Sequence, residues 1–380
     1  MNKENAWCAA RAYLSVLLAL VLFGCGGGSS SNSPTPQPPS EFLYSTSVNG
    51  IMAFPVNPST GALSPGTQVA SGFTSIGFLA NIVSDPAGKF LFVCSLGNSS
   101  IEVFSVNATT GALTPVSGSP FPVQGSGVGN LSMDPSGRFV YAASTSGITA
   151  YILNQTTGTL SAIAGSPFSD GSTLRASVVD PAGKFLYASG NTTQVTTSVF
   201  TIDSASGALT PIAGSPFRSP INSEVFSVAV HPSGKFLYGS YPLVNRIAAW
   251  SINPSTGALS VTPGSPFATG NGVPILLVDP NRNFLYALNS NDGTVSGFSI
   301  DANSGALTPV NGAPFPVSAR TGYLAIDPSG QFLYAANGSI NINTITGFNI
   351  NASTGTLSAF SNPPVSAVNP SLLAIIKTSH

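Results

Sequence analysis

The chain has 380 residues, with 12 Lys+Arg against 13 Asp+Glu, a formal net charge of −1 and only 7% charged residues, against roughly 25% in an average soluble domain. That balance excludes the basic field that nucleic-acid binding requires. With 42% hydrophobic residues, 40 Gly and 31 Pro, and no Gly at every third position, the chain is neither disordered nor collagen-like, and a turn-rich all-β protein is expected.

Residues 1–24 are expected to be an address and not fold. Lys3 and Arg11 precede an apolar run, Ala12 to Phe23, too short for a comfortable membrane span. It ends in Leu22-Phe23-Gly24-Cys25, which resembles a bacterial lipobox with Cys25 as the lipidated first mature residue. Phe23 departs from the small or modestly apolar residue usual there. Gly26 follows the Cys in place of Asp, which by the same resemblance favours the outer membrane. Residues 25–40 are rich in Gly, Ser and Pro, the composition of a flexible and then extended tether. The expected location is therefore extracytoplasmic, with the membrane as a partner through a lipid anchor. Cys8 lies in the signal segment, so Cys94 is the only thiol of the body and forms no internal disulfide.

Residues 41–380 are repetitive. Thr/Ser-Gly-Ala/Thr-Leu recurs with its Gly at 61, 111, 158, 207, 257, 305 and 355. Phe-Leu/Val-Tyr/Phe starts at 42, 90, 139, 185, 236, 284 and 332. Asp/His-Pro-x-Gly starts at 85, 134, 180, 231 and 327, with a degenerate copy at Asp279-Pro280. Gly-Ser/Ala-Pro-Phe starts at 118, 165, 214, 264 and 312. A period near 48 residues signals a repeat architecture. In one unit, Tyr323–Ile326 is predicted as a strand. Asp327-Pro-Ser-Gly330 is a tight turn, in which Asp bonds forward, Pro presets φ and Gly takes positive φ. Phe332–Ala336 and Ile345–Ile350 are further strands, and Thr356–Phe360 is the fourth. Four short antiparallel strands per unit make a propeller blade.

The first unit begins at Glu41-Phe42-Leu43-Tyr44, at its second strand. The C-terminal segment Leu372–Lys377 aligns with Leu324–Ile326 and supplies the missing one. The predicted fold is all-β, a seven-bladed β-propeller of four-stranded blades, with the C-terminal strand completing the first blade and leaving no open edge at the seam. A monomer is expected, and the closed ring does not itself set the oligomeric state.

The turns between strands one and two and between strands three and four share one face and are near-identical from unit to unit. The opposite face carries varied loops, where sites on a rigid scaffold form. Subtracting the repeat leaves Glu102, Asp170, Arg175, Asp203, Arg218, Glu224, Arg246, Asp292, Asp301 and Arg320 as unusual charges. Glu224 and Arg320 each lie seven residues before the turn Asp or its equivalent His231, and Arg175 lies five before Asp180. Arg246, Asp292 and Tyr241 are placed on loops between strands two and three. The candidate site therefore has Glu224 as base and Arg175, Arg320 and Arg246 as ligands for an anionic or sugar-like group. The bland alternative for each is a solvated loop charge or a structural ion pair. His231 is expected to be a turn residue and His380 is terminal, so no histidine metal cluster forms and no metal is assigned. No nucleotide fingerprint appears and no cofactor is expected.

The repeated Asp-Pro-Ser-Gly-Lys/Arg-Phe-Leu-Tyr with Thr-Gly-Ala-Leu resembles the seven-bladed lactonase family over about residues 41–377. That family includes the propeller-type 6-phosphogluconolactonases and is similar to YVTN-type surface repeats. The resemblance implies the fold; for activity it implies hydrolysis of a lactone. The channel mouth of family enzymes is rich in His, Arg and Glu, and no catalytic motif residue of this chain matches one by one. Two functions stay open. One is a non-catalytic binding scaffold whose variable face takes an envelope protein or a glycan, favoured by the scarcity of catalytic groups. The other is a lactone hydrolase acting on a small lactone or sugar ligand.

Overall fold

The computed structural model describes residues 40–47, 49–71, 79–95, 97–190, 195–272, 275–317, 321–339 and 342–378. The expected signal segment, Cys25, Arg320 and His380 lie outside them. Seven antiparallel sheets follow one another along the chain, each ordered from its first strand outward to its fourth. The blade between Thr321 and Ala359, for example, runs Thr321–Ile326, Phe332–Ser339, Ile342–Ile350, Leu357–Ala359. The ring closes as the repeat phase requires. Leu373–Lys377 pairs with Glu41–Ser47 in the register Glu41↔Lys377, Phe42↔Ile376, Leu43↔Ile375. The first strands of neighbouring blades touch in an unbroken circuit that passes through this closing strand.

Among the described residues, five of the seven four-stranded blades carry a short fifth strand as well. The third strand is long and the fourth is short, so part of the third strand's edge stays open. In the second blade, Leu113–Pro115 covers Phe104–Val106, and Phe121–Pro122 then covers Ser100 and Ile101. The Gly-Ser/Ala-Pro-Phe motif supplies this short fifth strand at Phe121, Phe217, Phe267 and Phe315. Phe168 makes an isolated bridge to Ile148 at the same place.

The repeated motifs recognise one another between blades. Tyr44 donates its phenol hydrogen to the carbonyl of Gly111 at 2.9 Å. Tyr141, Tyr238, Tyr286 and Tyr334 do the same to Gly207, Gly305, Gly355 and Gly61. Each bond joins the second strand of one blade to the outer turn of the next, and Tyr334 to Gly61 spans the seam. The Gly itself lies on the phenylalanine two residues before that tyrosine. A Cβ built on Gly111, whose φ is +69°, would stand 2.6 Å from the Phe42 ring. These second strands are buried throughout, and the core clusters lie between adjacent blades, as where Phe42, Tyr44 and Ile51 meet Ile82, Leu91 and Phe104. Burying each such side chain contributes about 1.5–3 kcal/mol.

The inner turns saturate their aspartates. Asp85 Oδ1 accepts from the Lys89 and Phe90 N–H groups, and Oδ2 accepts from that of Ala87. The basic residue beside the turn stitches blades together. Arg138 donates to the carbonyls of Ser204 and Ala205, and Lys184 to those of Pro254 and Ser255. His231 is the turn residue expected of it. Its Nδ1 accepts from the Ser233 N–H at 3.1 Å, so Nε2 carries the hydrogen that bonds Asn283 Oδ1 at 3.1 Å. Cys94 is buried.

Candidate functional site

On the variable-loop face, the chain enters the first strands at Arg175–Ala176 and at Glu224–Ser227. Arg175 is exposed and its backbone N–H is tied to the Ser189 carbonyl at 2.9 Å. Its guanidinium carbon stands 4.2 Å from the centroid of the Phe226 ring, in the neighbouring blade. Such stacking fixes the plane of the fork and leaves its edges free for a ligand oxygen. Phe226 is two residues from Glu224. Val225 between them is buried, while Glu224 and Phe226 are half-buried. Arg175 therefore stacks two residues along the chain from Glu224, without an ion pair to it: among the described residues the recorded one is Arg282 with Asp279.

Other sequence-predicted residues do not join them. Arg246 is no loop residue. It begins the third strand of its blade, pairs with Tyr241 and Ala268, and is exposed two strands outward from the axis. Tyr241 ends the second strand, is fully buried, and bonds the Ser219 hydroxyl. Both extend strands that the sequence pattern ends too early, because the hairpin turn needs only the residues 242–245. Asp292 is spent on its loop, accepting from the Asn271 N–H at 2.7 Å. Asp203 and Asp301 belong to the repeat. They stand where Asn57 and Asn107 stand and accept from the N–H groups two and three residues on. Bonds from the Ser206 and Ser304 hydroxyls hold both carboxyls below the usual aspartate range.

Two cavities lie elsewhere. One of about 700 Å³ opens near the axis on the repeated-turn face, among Pro86, Pro135, Pro328, Met133, Ile375 and Lys377. Its carboxylates, Asp85 and Asp134, are already saturated by turn hydrogen bonds, so it offers no base. The other, about 650 Å³, lies on the variable-loop side beside Thr196, Arg218, Ser219 and Ile221. No group of three or more metal-ligating side chains occurs among the described residues.

The sequence matches the profile of the lactonase seven-bladed β-propellers over residues 41–166, 115–225 and 222–321. The chain belongs to this lactonase family. No curated protein matches it. Among solved structures, a candidate 6-phosphogluconolactonase of Bacteroides uniformis is similar at 20% identity and a TM-score of 0.72, covering 88% of this chain and 99% of the other. A candidate 6-phosphogluconolactonase of Bacteroides fragilis is similar at 20% identity and 0.71, covering 89% and 98%. A periplasmic gluconolactonase of Pseudomonas aeruginosa is similar at 18% identity and 0.72, covering 89% and 99%. At these identities the structures establish the shared fold. The lactonase-family match tilts the choice left open by the sequence toward the hydrolase.

Two residues of the site escaped the sequence. Phe226 is one aromatic among 23 Phe, and only the fold puts it under Arg175. Asn130 holds the neighbouring first strand, its Oδ1 accepting from the N–H and the hydroxyl of Ser177. It is uncharged, and a search for unusual charges passes over it.

Proposed function

We propose that this lactonase-family propeller hydrolyses a sugar-derived lactone at the axial mouth of its variable-loop face. The carrying observation is Arg175 stacked on Phe226, two residues from Glu224. In this scheme Arg175 binds the lactone carbonyl oxygen and stabilises its negative charge as the tetrahedral species forms. Glu224 takes a proton from water, and the hydroxide adds to the carbonyl carbon. The carbon–oxygen bond of the ring then breaks, and the proton passes from Glu224 to the leaving ring oxygen, giving the hydroxy acid. The reaction needs no cofactor. The expected lipid anchor at Cys25 would hold the enzyme in the cell envelope.

The test is turnover of a lactone panel, D-glucono-δ-lactone and 6-phosphogluconolactone included, by the full chain. Glu224→Gln is expected to lower kcat by about 10²-fold or more. Arg175→Ala is expected to lower kcat/KM. No turnover above background by correctly folded protein would overturn hydrolysis and return the scaffold function.

A further inference from the structure

A second polar layer sits on the first strands, one step in from the mouth. These strands are the innermost of the fold, yet Asn130, Ser227, Tyr323 and Ile326 are only half-buried, so solvent reaches along the axis. The residue four before each inner-turn Asp or His is Asn81, Asn130, Ser227 or Tyr323 in four of the blades. Asn81 Nδ2 donates to Tyr323 Oη at 3.3 Å. That bond reaches past the closing strand of the first blade, so the amide and the phenol meet at the axis. Asn81 is 8% exposed, and its Oδ1 has no partner. If the amide were turned end for end, Nδ2 would be the orphan. Either way one buried polar end is left open beside a solvent-reached axis, an arrangement native proteins rarely leave unfilled.

The layer continues around the ring. Asn130 Oδ1 is used by Ser177, whose hydroxyl also bonds that of Ser132 at 3.0 Å. The residue before each inner-turn Asp or His is Ser84, Met133, Val179, Val230, Val278 or Ile326, and Ile375 matches them on the closing strand. The polar layer therefore has a floor that is apolar but for Ser84, and none of the layer's side chains is charged.

We propose that this layer is a subsite for a neutral polyhydroxylated chain, with one ligand hydroxyl donating to Asn81 Oδ1 and another accepting from Asn130 Nδ2. The inference rests on the proposed lactone hydrolysis and names its substrate class, an unphosphorylated polyhydroxy lactone. Amides and hydroxyls match sugar hydroxyls in both donor and acceptor capacity. A phosphate would find no cation in this layer.

Two measurements on the full chain test it. The first is saturation-transfer NMR with D-glucitol, a neutral and unreactive probe. The second is KM for D-glucono-δ-lactone against KM for δ-valerolactone, which carries no hydroxyl. Asn81→Leu is expected to weaken the glucitol signal at least several-fold and to raise KM for the gluconolactone about tenfold, with δ-valerolactone changed less than twofold. Glu224→Gln is expected to keep the glucitol signal. Tyr323→Phe, which removes the partner of Asn81 without placing an apolar group on it, is expected to act in the same direction and serves if Asn81→Leu does not fold. An unchanged glucitol signal, or equal KM changes for both lactones, overturns the subsite. Asn81-dependent glucitol binding without any lactone turnover keeps the subsite and sinks hydrolysis. Turnover without Asn81 dependence keeps hydrolysis and sinks the subsite.

Discussion

Glu41 is the most exacting test of the seam. It stands where Lys89, Arg138, Lys184 and Lys235 stand in other repeats, and it is only 6% exposed. Its Oε1 has no partner, and it lies opposite Lys377 on the closing strand. Burial pushes its carboxyl up from 4.5 to about 7, the Asp327 carboxylate adds to the rise, and the Lys377 ammonium opposes it. A carboxyl raised by folding keeps its proton in the native state while the unfolded chain has already lost it. Its contribution is therefore fully present below about pH 4.5 and is lost as pH climbs through 7. At 1.36 kcal/mol per pH unit the full loss is about 3 kcal/mol, an upper value because relaxation and water penetration soften the cost of burying a charge. Glu41→Gln keeps the group neutral at all pH. It should raise stability at pH 8 by about 2 kcal/mol and change it little at pH 4. For a domain of roughly 340 residues losing about 2.1 cal/mol/K per residue, that is a Tm rise near 3 °C. The assay is calorimetric unfolding of both proteins at pH 4, 6 and 8, taken as the difference between them, so that His231 cancels. A variant less stable than wild type at pH 8, or a difference that does not grow with pH, would refute the argument.

The remaining expectations concern the inter-blade bonds and the odd turn. Tyr238→Phe removes a buried bond to the Gly305 carbonyl and should cost about 1 kcal/mol. Tyr187 occupies the same place in its blade, but its hydroxyl is buried without a partner, so Tyr187→Phe should be neutral or stabilising; equal losses in thermal unfolding would contradict the pairing. Gly61→Ala should destabilise by more than about 1 kcal/mol, because φ is +69° and the new Cβ would meet the Phe332 ring at 2.6 Å. Burial lowers the His231 pKa from 6.5, with the Asn283 bond opposing. The native state then resists protonation, and stability falls as pH drops below 6.5. His231→Asp should flatten that acid limb, as seen by denaturant melts at pH 5 and 7.

The fold was legible because its signals are local chemistry repeated in phase. Each turn needs its own Asp, Pro and Gly, and the Phe-Leu-Tyr strand needs the Gly of the next blade. The phase of the first and last units disclosed the closure of Leu373–Lys377 onto Glu41–Ser47. The fifth strand was not legible, since Phe121 and Pro122 carry no alternation of their own and pair only because the third strand outruns the fourth. The site was half legible. Arg175 and Glu224 stood out as charges, while the stacking of Arg175 on Phe226, two residues from Glu224, comes from the fold alone. Arg246 stood out equally, and its strand carries it outward.

The asymmetry between the two faces follows from the same bonds. On the repeated-turn face, the strand-two tyrosine and the basic residue each reach a carbonyl of the next blade, and the phenylalanine fills the space a Cβ would need. A change at any of these positions disturbs two blades, so the face is committed to holding the ring. Four residues before the turn the first strands keep no single residue type, and there the repeat relaxes to Asn81, Asn130, Ser227 and Tyr323. Polar side chains at an inner-strand position, next to others that are Ile275 or Leu372, are costly for packing alone. Asn130, Ser227 and Tyr323 meet protein partners there, and the proposed ligand would complete the bonding of Asn81. The polar exceptions within one repeat position, more than the stray charges on loops, are therefore where the proposed subsite would draw its specificity.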